Sequence, residues 1–434
     1  MILKKTGTAL LTAALILCGN PVFAAEVNGG WTDDSTRTLT ESLGGIKARG
    51  WVSAYYNFRA NNANQGTVIP GRTFDVKDQT FTLDLAEIEL EKVPEKGKGG
   101  FKLDLAFGDT QDQIQAGVLA AQGPGSLGAG ERHIQHATVG FLADIGNGLR
   151  FDAGKMATHI GSEYTEGIKN NNFSHGYLFS YAIPFQQTGV RINYRVNDHL
   201  TTELYVLNGW NATVDNDKGK TIAPSVIWNF GPVSGVLNYM GGLESDGGVS
   251  PTTANGSVLT GPGGCVYGVN CPVGSRSTMR HLFDASIGYS AGAFNALIAG
   301  DYGMQKGIAS PGSDPVLTPV AGGDGTRTVK WYGGALYARY KLNDSHEPAL
   351  RLETYVDPNN FTLAQANRTN GVNSTATRIN SVTVTWNWKA ASGLLIRPEF
   401  RLDHSNRRSS LFTDARGMPT SSVSTVGLST IAYF

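Results

Sequence analysis

The chain alternates apolar and polar residues with a period of two over most of its length. In 394–404, Leu394, Ile396, Phe400 and Leu402 share one face, while Arg397, Glu399, Arg401 and Asp403 share the other. Successive side chains of an extended strand point to opposite sides. Four charges on one side cannot lie in a dry core. In 378–389, Val382, Val384, Trp386 and Trp388 oppose Ser381, Thr383, Thr385 and Asn387. Leu350, Leu352 and Val356 oppose Arg351, Glu353 and Tyr355, and Tyr332, Leu336 and Tyr340 oppose Tyr337, Arg339 and Lys341. Val190, Ile192, Tyr194 and Val196 oppose Arg191, Asn193 and Arg195, and Phe101, Leu103, Leu105 and Phe107 oppose Lys102 and Asp104. One segment breaks phase: Phe81, Leu83 and Leu85 are followed by Ile88 and Leu90. A β-bulge near Ala86 and Glu87 would restore its register.

Sixteen strands are predicted, at 46–58, 79–91, 100–108, 131–143, 149–157, 187–197, 200–210, 221–230, 233–243, 281–290, 293–305, 327–342, 349–356, 376–388, 394–404 and 423–434. Fourteen and eighteen bound the count. Every second connection is short and turn-rich: 92–99, 144–148, 198–199, 231–232, 291–292, 343–347 and 390–393. The others are mostly long, including 59–78, 109–130, 158–186, 244–280 and 306–326. A soluble sandwich has no reason to put its long loops at one end. A transmembrane barrel does, with short periplasmic turns and long extracellular loops. The predicted fold is therefore all-β, a transmembrane antiparallel β-barrel with both termini on the periplasmic side.

The ends fit that reading. Lys4 and Lys5, the apolar stretch 9–17 and Val22-Phe23-Ala24 form an export signal over 1–24. Leu15-Ile16-Leu17-Cys18 is a poor lipoprotein box, because Leu17 is large where a small residue is wanted. Residues 25–45 are polar and read as a periplasmic segment, a free arm or a partial plug, before a barrel over 46–434. No other apolar run approaches the roughly 18 to 20 residues of a spanning helix. The terminal Phe434 is the aromatic end that the barrel assembly machinery reads, although Thr430 and Ala432 are smaller than usual for such a signal. The expected surroundings are outer-membrane lipid and lipopolysaccharide.

Composition narrows the chemistry. The 55 glycines and 17 % charged residues, against about 25 % charged in soluble domains, suit tight turns and a lipid-facing surface. A formal net charge of zero argues against nucleic acid. Cys18 leaves with the signal. Cys265 and Cys271 lie in a polar, Gly-rich stretch without enough neighbouring ligands for a metal, and export through an oxidising compartment favours a disulfide between them.

About sixteen strands enclose a lumen wide enough for water. Loop 158–186, dense in aromatics and carrying Glu163, Glu166, Lys169, Asn170, Asn171, Asn172 and His175, would constrict it if folded inward. A loop folded outward fits its position equally well. The residues expected to line the lumen are acidic on one side (Asp84, Glu87, Glu89, Glu91 and Asp104). They are largely basic elsewhere: Arg191 and Arg195, then Arg339, Lys341, Arg351, Arg397 and Arg401, with Glu353 and Glu399. Opposed walls would create a transverse field that orients polar solutes. The same charges could equally pair among themselves and keep the interior wet.

The motifs Gly154-Lys155, Ile160-Gly161-Ser162-Glu163, Asn172-Phe173-Ser174, 178–185, Thr188-Gly189-Val190-Arg191 and 206–210 are densest over 130–245. There the chain resembles the OmpL-like β-barrel porin family of Gram-negative outer membranes. Elsewhere only the strand pattern carries the likeness. The resemblance implies passive diffusion of small hydrophilic solutes, and porins of this size commonly form homotrimers.

Two other functions were weighed. His159, His175 and His281, with Ser162 and Ser174 near two of them, offer an enzyme reading. No nucleophile elbow, zinc-binding pair or phosphate loop accompanies them, so no catalytic site, metal or cofactor is expected. A non-conducting structural or adhesive barrel is the alternative to a channel, and the 244–280 loop with its cysteine pair would then be its binding surface.

Overall fold

The computed structural model describes residues 45–60, 68–122, 131–215, 219–245, 277–309, 326–359, 361–366, 377–414, 416 and 418–434. The expected export signal, nearly all of the 25–45 segment and the Cys265/Cys271 pair lie outside them. Sixteen antiparallel strands form one closed barrel in which each strand pairs with its sequence neighbours and β1 with β16. They are β1 (Lys47–Arg59), β2 (Thr82–Lys92), β3 (Gly99–Phe107), β4 (Ile134–Ala143), β5 (Leu149–Ala157), β6 (Gln186–Asn197), β7 (Leu200–Leu207) and β8 (Thr221–Phe230). The second half comprises β9 (Val233–Ser245), β10 (Ser277–Ala291), β11 (Phe294–Ala309), β12 (Thr326–Tyr340), β13 (His346–Asp357), β14 (Thr377–Ala391), β15 (Leu394–Thr413) and β16 (Pro419–Tyr433). Every predicted strand is present. The main differences in length are at β10, β11 and β15, which extend beyond the expected ends.

Strand β14 shows why the chain closes this way. Val382, Val384, Trp386 and Trp388 are 40 to 47 % exposed on the outside, whereas Thr383, Thr385 and Asn387 are fully buried inside. This inverts the burial of a soluble protein. A strand slipped by one residue would turn Arg351, Arg397 and Arg401 toward lipid, at about 2–4 kcal/mol each near the midplane. Polarity thus sets the register. Trp386, Trp388 and His346 cluster beside the short 390–393 turn, where Trp386 Nε1 lies 3.1 Å from His346 Nδ1. That is the position of an interfacial aromatic girdle.

The phase break of β2 lies earlier than expected. The β1–β2 register shifts between Ser53↔Leu85 and Ala54↔Leu83, which makes Asp84 the extra residue. Leu85 consequently points inward and is 1 % exposed, not outward as its spacing implied. The physical reason is Asp84 itself, whose carboxylate accepts hydrogen bonds from Ser53 Oγ (2.8 Å) and Thr110 Oγ1 (2.7 Å).

The long connections contain structure that alternation does not reveal. Helix α1 (Asp109–Gln122) follows β3, and the short α2 (Phe361–Ala366) follows β13. Asp357 caps α2 by accepting the backbone N–H groups of Phe361, Thr362 and Leu363.

Two glycines mark close approaches. Gly303 leaves room for the Trp331 indole of the neighbouring strand, which a Cβ would meet at 1.9 Å. Gly154, at φ +139°, brings its backbone against the Ala137 carbonyl, where a Cβ would stand 2.1 Å from the oxygen. Gly154→Leu is therefore expected to destabilise the barrel by about 1–3 kcal/mol. Heat-modifiability in SDS gels should show unfolding at a lower temperature than wild type, and an unchanged transition would count against this packing.

Candidate functional site

Loop 158–185, between β5 and β6, runs through the lumen to the opposite wall. Most of its residues are buried, including Ile160, Glu163, Tyr164, Glu166, Ile168, Phe173, His175, Tyr177, Phe179 and Tyr181. A segment there has no strand ladder to satisfy its backbone, and each orphaned N–H would cost about 1–3 kcal/mol. Side chains of β13 and β15 take the ladder's place. The Glu353 carboxylate accepts the N–H groups of Tyr177 and Leu178, both at 2.7 Å. Glu399 accepts those of Phe173 (2.7 Å) and Ser174 (3.2 Å), and a hydroxyl from Thr385 (2.6 Å).

Guanidinium groups serve the carbonyls. Arg351 donates to Ser174 O and to Glu163 Oε1, both at 2.6 Å. Arg397 donates to Gly167 O (2.7 Å) and Asn170 O (2.5 Å), and Arg401 donates to His175 O (2.6 Å). Glu163 closes the network by accepting the Gly176 N–H at 2.7 Å.

The other side of the loop is apolar. Met156 of β5 and Ile160, Leu178, Phe179, Tyr181, Ile183 and Phe185 of the loop join Tyr205, Met240, Leu282, Leu297, Trp331 and Tyr337 of the β7–β12 wall in one buried cluster. A single π turn, Leu178–Ala182, presents these rings, and Trp331 Nε1 donates to Ala182 O at 3.0 Å.

The expected site residues divide into three groups. Glu163, His175, Arg351, Glu353, Arg397, Glu399 and Arg401 are brought together around the loop. Glu166 and Lys169 face the β2–β3 wall, where Lys169 Nζ lies 2.6 Å from Glu89 Oε1, near Glu87 and Asp104. The rest stand apart. Arg191 pairs with Asp152 at 2.5 Å, and Arg339 with Glu347 at 3.0 Å. Arg195 pairs with Asp198 in the 198–199 turn with its side chain 36 % exposed. Lys341 lies past the end of β12, half exposed and paired with Asp344, so it belongs to the turn and not to the lumen wall. The basic wall expected to oppose the acidic one is occupied, since the arginines of β13 and β15 bind the loop.

The histidines and serines weighed as catalytic are also engaged elsewhere. His159 stacks on Tyr205 with centroids 3.8 Å apart, and its Nδ1 lies 3.0 Å from Gln187 Oε1. Burial pushes its imidazole down to about 4, so it is neutral at physiological pH. Ser174 Oγ accepts from Arg351 and Arg401.

Sequence reasoning missed the loop after β1. Ile69 and Phe74 enter the apolar cluster, while Arg72 reaches Asp403 (3.0 Å) and Thr425 and also pairs with Asp75. Trp331 was overlooked as well, although its alternation with outward Tyr332 marked it as inward-facing.

A closed barrel with an apolar exterior, a charged interior and a long loop folded across the lumen defines an outer-membrane barrel of the porin type. The chain belongs to the family described as "Putative beta-barrel porin-2, OmpL-like", whose model matches residues 45–434. Similar solved structures include outer-membrane-expressed OmpT of Vibrio cholerae, at 12 % identity with a TM-score of 0.54, covering 90 % of this chain and 97 % of that one. The anion-selective porin from Comamonas acidovorans is 11 % identical with a TM-score of 0.51, covering 90 % and 99 %. OmpF of Salmonella typhi is 9 % identical with a TM-score of 0.50, covering 90 % and 97 %. At these identities the likeness is one of fold. No curated relative matches the sequence.

Replacing Glu353 or Glu399 by Gln keeps one acceptor and loses the charge. Each variant is expected to weaken the seating of the loop by about 1–3 kcal/mol. Lys169, the one lysine or arginine in 158–185, is an internal trypsin reporter. Folded wild type should resist cleavage there, and Glu353→Gln/Glu399→Gln should be cut. Equal resistance would show that these carboxylates do not hold the loop.

Proposed function

We propose that the protein is a porin, a non-enzymatic channel through which small hydrophilic solutes or ions diffuse passively across the outer membrane. The observation that carries this reading is the loop 158–185 seated inside a sixteen-strand lumen and tied to the far wall by Arg351, Glu353, Arg397, Glu399 and Arg401. Such an element narrows a wide barrel without closing the strands on themselves. The charged positions on β2, β3, β5, β6 and β7 are then the wall that a passing solute meets. Arg150, Asp152, Arg191 and Glu203 form a line of contacts there. A homotrimer is part of the proposal; one of the similar OmpT structures is a trimer form.

A second reading is a closed, non-conducting barrel. It is favoured by the apolar cluster inside the lumen, to which the loop after β1 and helix α1 also contribute through Ile69, Phe74 and Ile114. A solute would have to pass beside a packed plug.

Planar-bilayer recordings separate the two. The porin reading predicts stable single-channel steps in wild type and larger steps after deletion of 168–177. Reversal potentials in a salt gradient then give the ion preference. A folded, heat-modifiable barrel that conducts in neither form would overturn it in favour of the closed barrel.

A further inference from the structure

The inner face of β2 and β3 carries an acidic cluster that the loop completes. Glu87 and Glu89 come from β2, Asp104 pairs with Glu89 from β3, and Glu166 descends from the loop. One carboxylate oxygen from each lies within 4.8 Å of the others, and all four residues are buried. Three cations reach this cluster, from the loop, β3 and β1. Lys169 Nζ sits 2.6 Å from Glu89 and 3.1 Å from Glu166. Lys102 lies 3.1 Å from Asp104 and 3.9 Å from Glu89, and Arg49 lies 3.5 Å from Glu89.

Four carboxylates thus face three cations, and the deficit has a location. Both oxygens of Glu87, which is 2 % exposed, have no hydrogen-bond partner among the described residues, and neither does Asp104 Oδ1. A carboxylate left bare in a buried position is strongly disfavoured unless a proton or a cation compensates it.

We propose that Glu87, Glu89, Asp104 and Glu166 bind a calcium ion that fastens loop 158–185 to the β2–β3 wall. The donors are all hard carboxylate oxygens, as calcium prefers. Calcium–oxygen bonds of about 2.3–2.6 Å allow ligands on opposite sides of the ion to stand about 4.6–5.2 Å apart, and the four oxygens, all within 4.8 Å of one another, are close enough to share one ion. Magnesium dehydrates reluctantly and is usually held by one or two carboxylates with several waters kept, so a set of four carboxylates favours calcium. Because Glu166 belongs to the loop and the other three to the wall, binding stabilises the inward position of the loop. The site does not depend on whether the barrel conducts.

The test uses the full-length barrel refolded from inclusion bodies, free of lipopolysaccharide, which itself binds divalent ions. Isothermal titration with CaCl2 at constant ionic strength should give one saturable site. Glu87→Gln and Glu166→Gln should each weaken it at least tenfold, and Asp344→Asn, in an exposed turn, should leave it unchanged. Absence of binding to wild type would overturn the site and leave a proton as the compensating charge. Undiminished binding in both variants would place the ion elsewhere, and equal affinity for MgCl2 would overturn the assignment to calcium. Terbium luminescence gives a readout on the unmodified site. Trp51 pairs with Glu87 across β1 and β2 and carries Lys169 Nζ 5.4 Å from its ring centroid. Bound Tb3+ should be excited through Trp51, its emission displaced by Ca2+ and lost in Trp51→Phe. Emission that Ca2+ cannot displace would count against the site.

Discussion

A loop inside a barrel has no neighbouring strand, and its backbone must nevertheless be satisfied. That requirement governs the interior of this protein. Glu353 and Glu399 receive four consecutive-turn N–H groups, and Arg351, Arg397 and Arg401 cover the carbonyls between and beside them. The charges are buried, which is costly for ions left alone. Here each has its partner in the loop, on its own strand or on the adjacent one, as with Arg401 and Asp403 of β15 at 2.8 Å. The loop and the two strands therefore form one unit: removing an acceptor strands a peptide N–H, and removing the loop takes partners from five buried ions.

The lumen is divided accordingly. Its β7–β12 side is apolar and packs the rings of the loop, and its β13–β15 side is charged and clasps the backbone. Hydrophobic burial supplies attraction without direction, whereas hydrogen bonds to fixed carboxylates set position to fractions of an ångström. Together they explain how a segment joining β5 to β6 crosses to β15 and stays there. The β2–β3 side differs in kind. It is in contact with the loop through Lys169 and Glu166, yet it holds more negative charge than its neighbours balance.

The sequence made the barrel readable because the bilayer enforces alternation. A slip of one residue in β14 would exchange Val384 and Trp386 for Thr385 and Asn387 on the lipid face. The position of the β2 bulge was harder to place, because Leu85 is apolar on either side of the wall and only the hydrogen bonds of Asp84 select the inward choice. The candidate site was half visible. Alternation identified Arg351, Glu353, Arg397, Glu399 and Arg401 as inward, but it cannot say whether an inward charge meets water or a peptide group. The pairings that answer this, such as Glu353 with Tyr177, span 176 residues. Arg72 and Phe74 had no periodic signal at all, because the connection that carries them is neither strand nor helix.

The central claim is that loop 158–185 lies across the lumen against β14 and β15, and a cross-link tests it most directly. Asn172 Nδ2 donates to Thr385 Oγ1 at 2.7 Å. In a background carrying Cys265→Ser and Cys271→Ser, the pair Asn172→Cys and Thr385→Cys should form a disulfide in the folded barrel on intact cells. If the two thiols remain free, and a membrane-impermeant maleimide labels position 172 from outside, the loop is on the surface and the account is wrong.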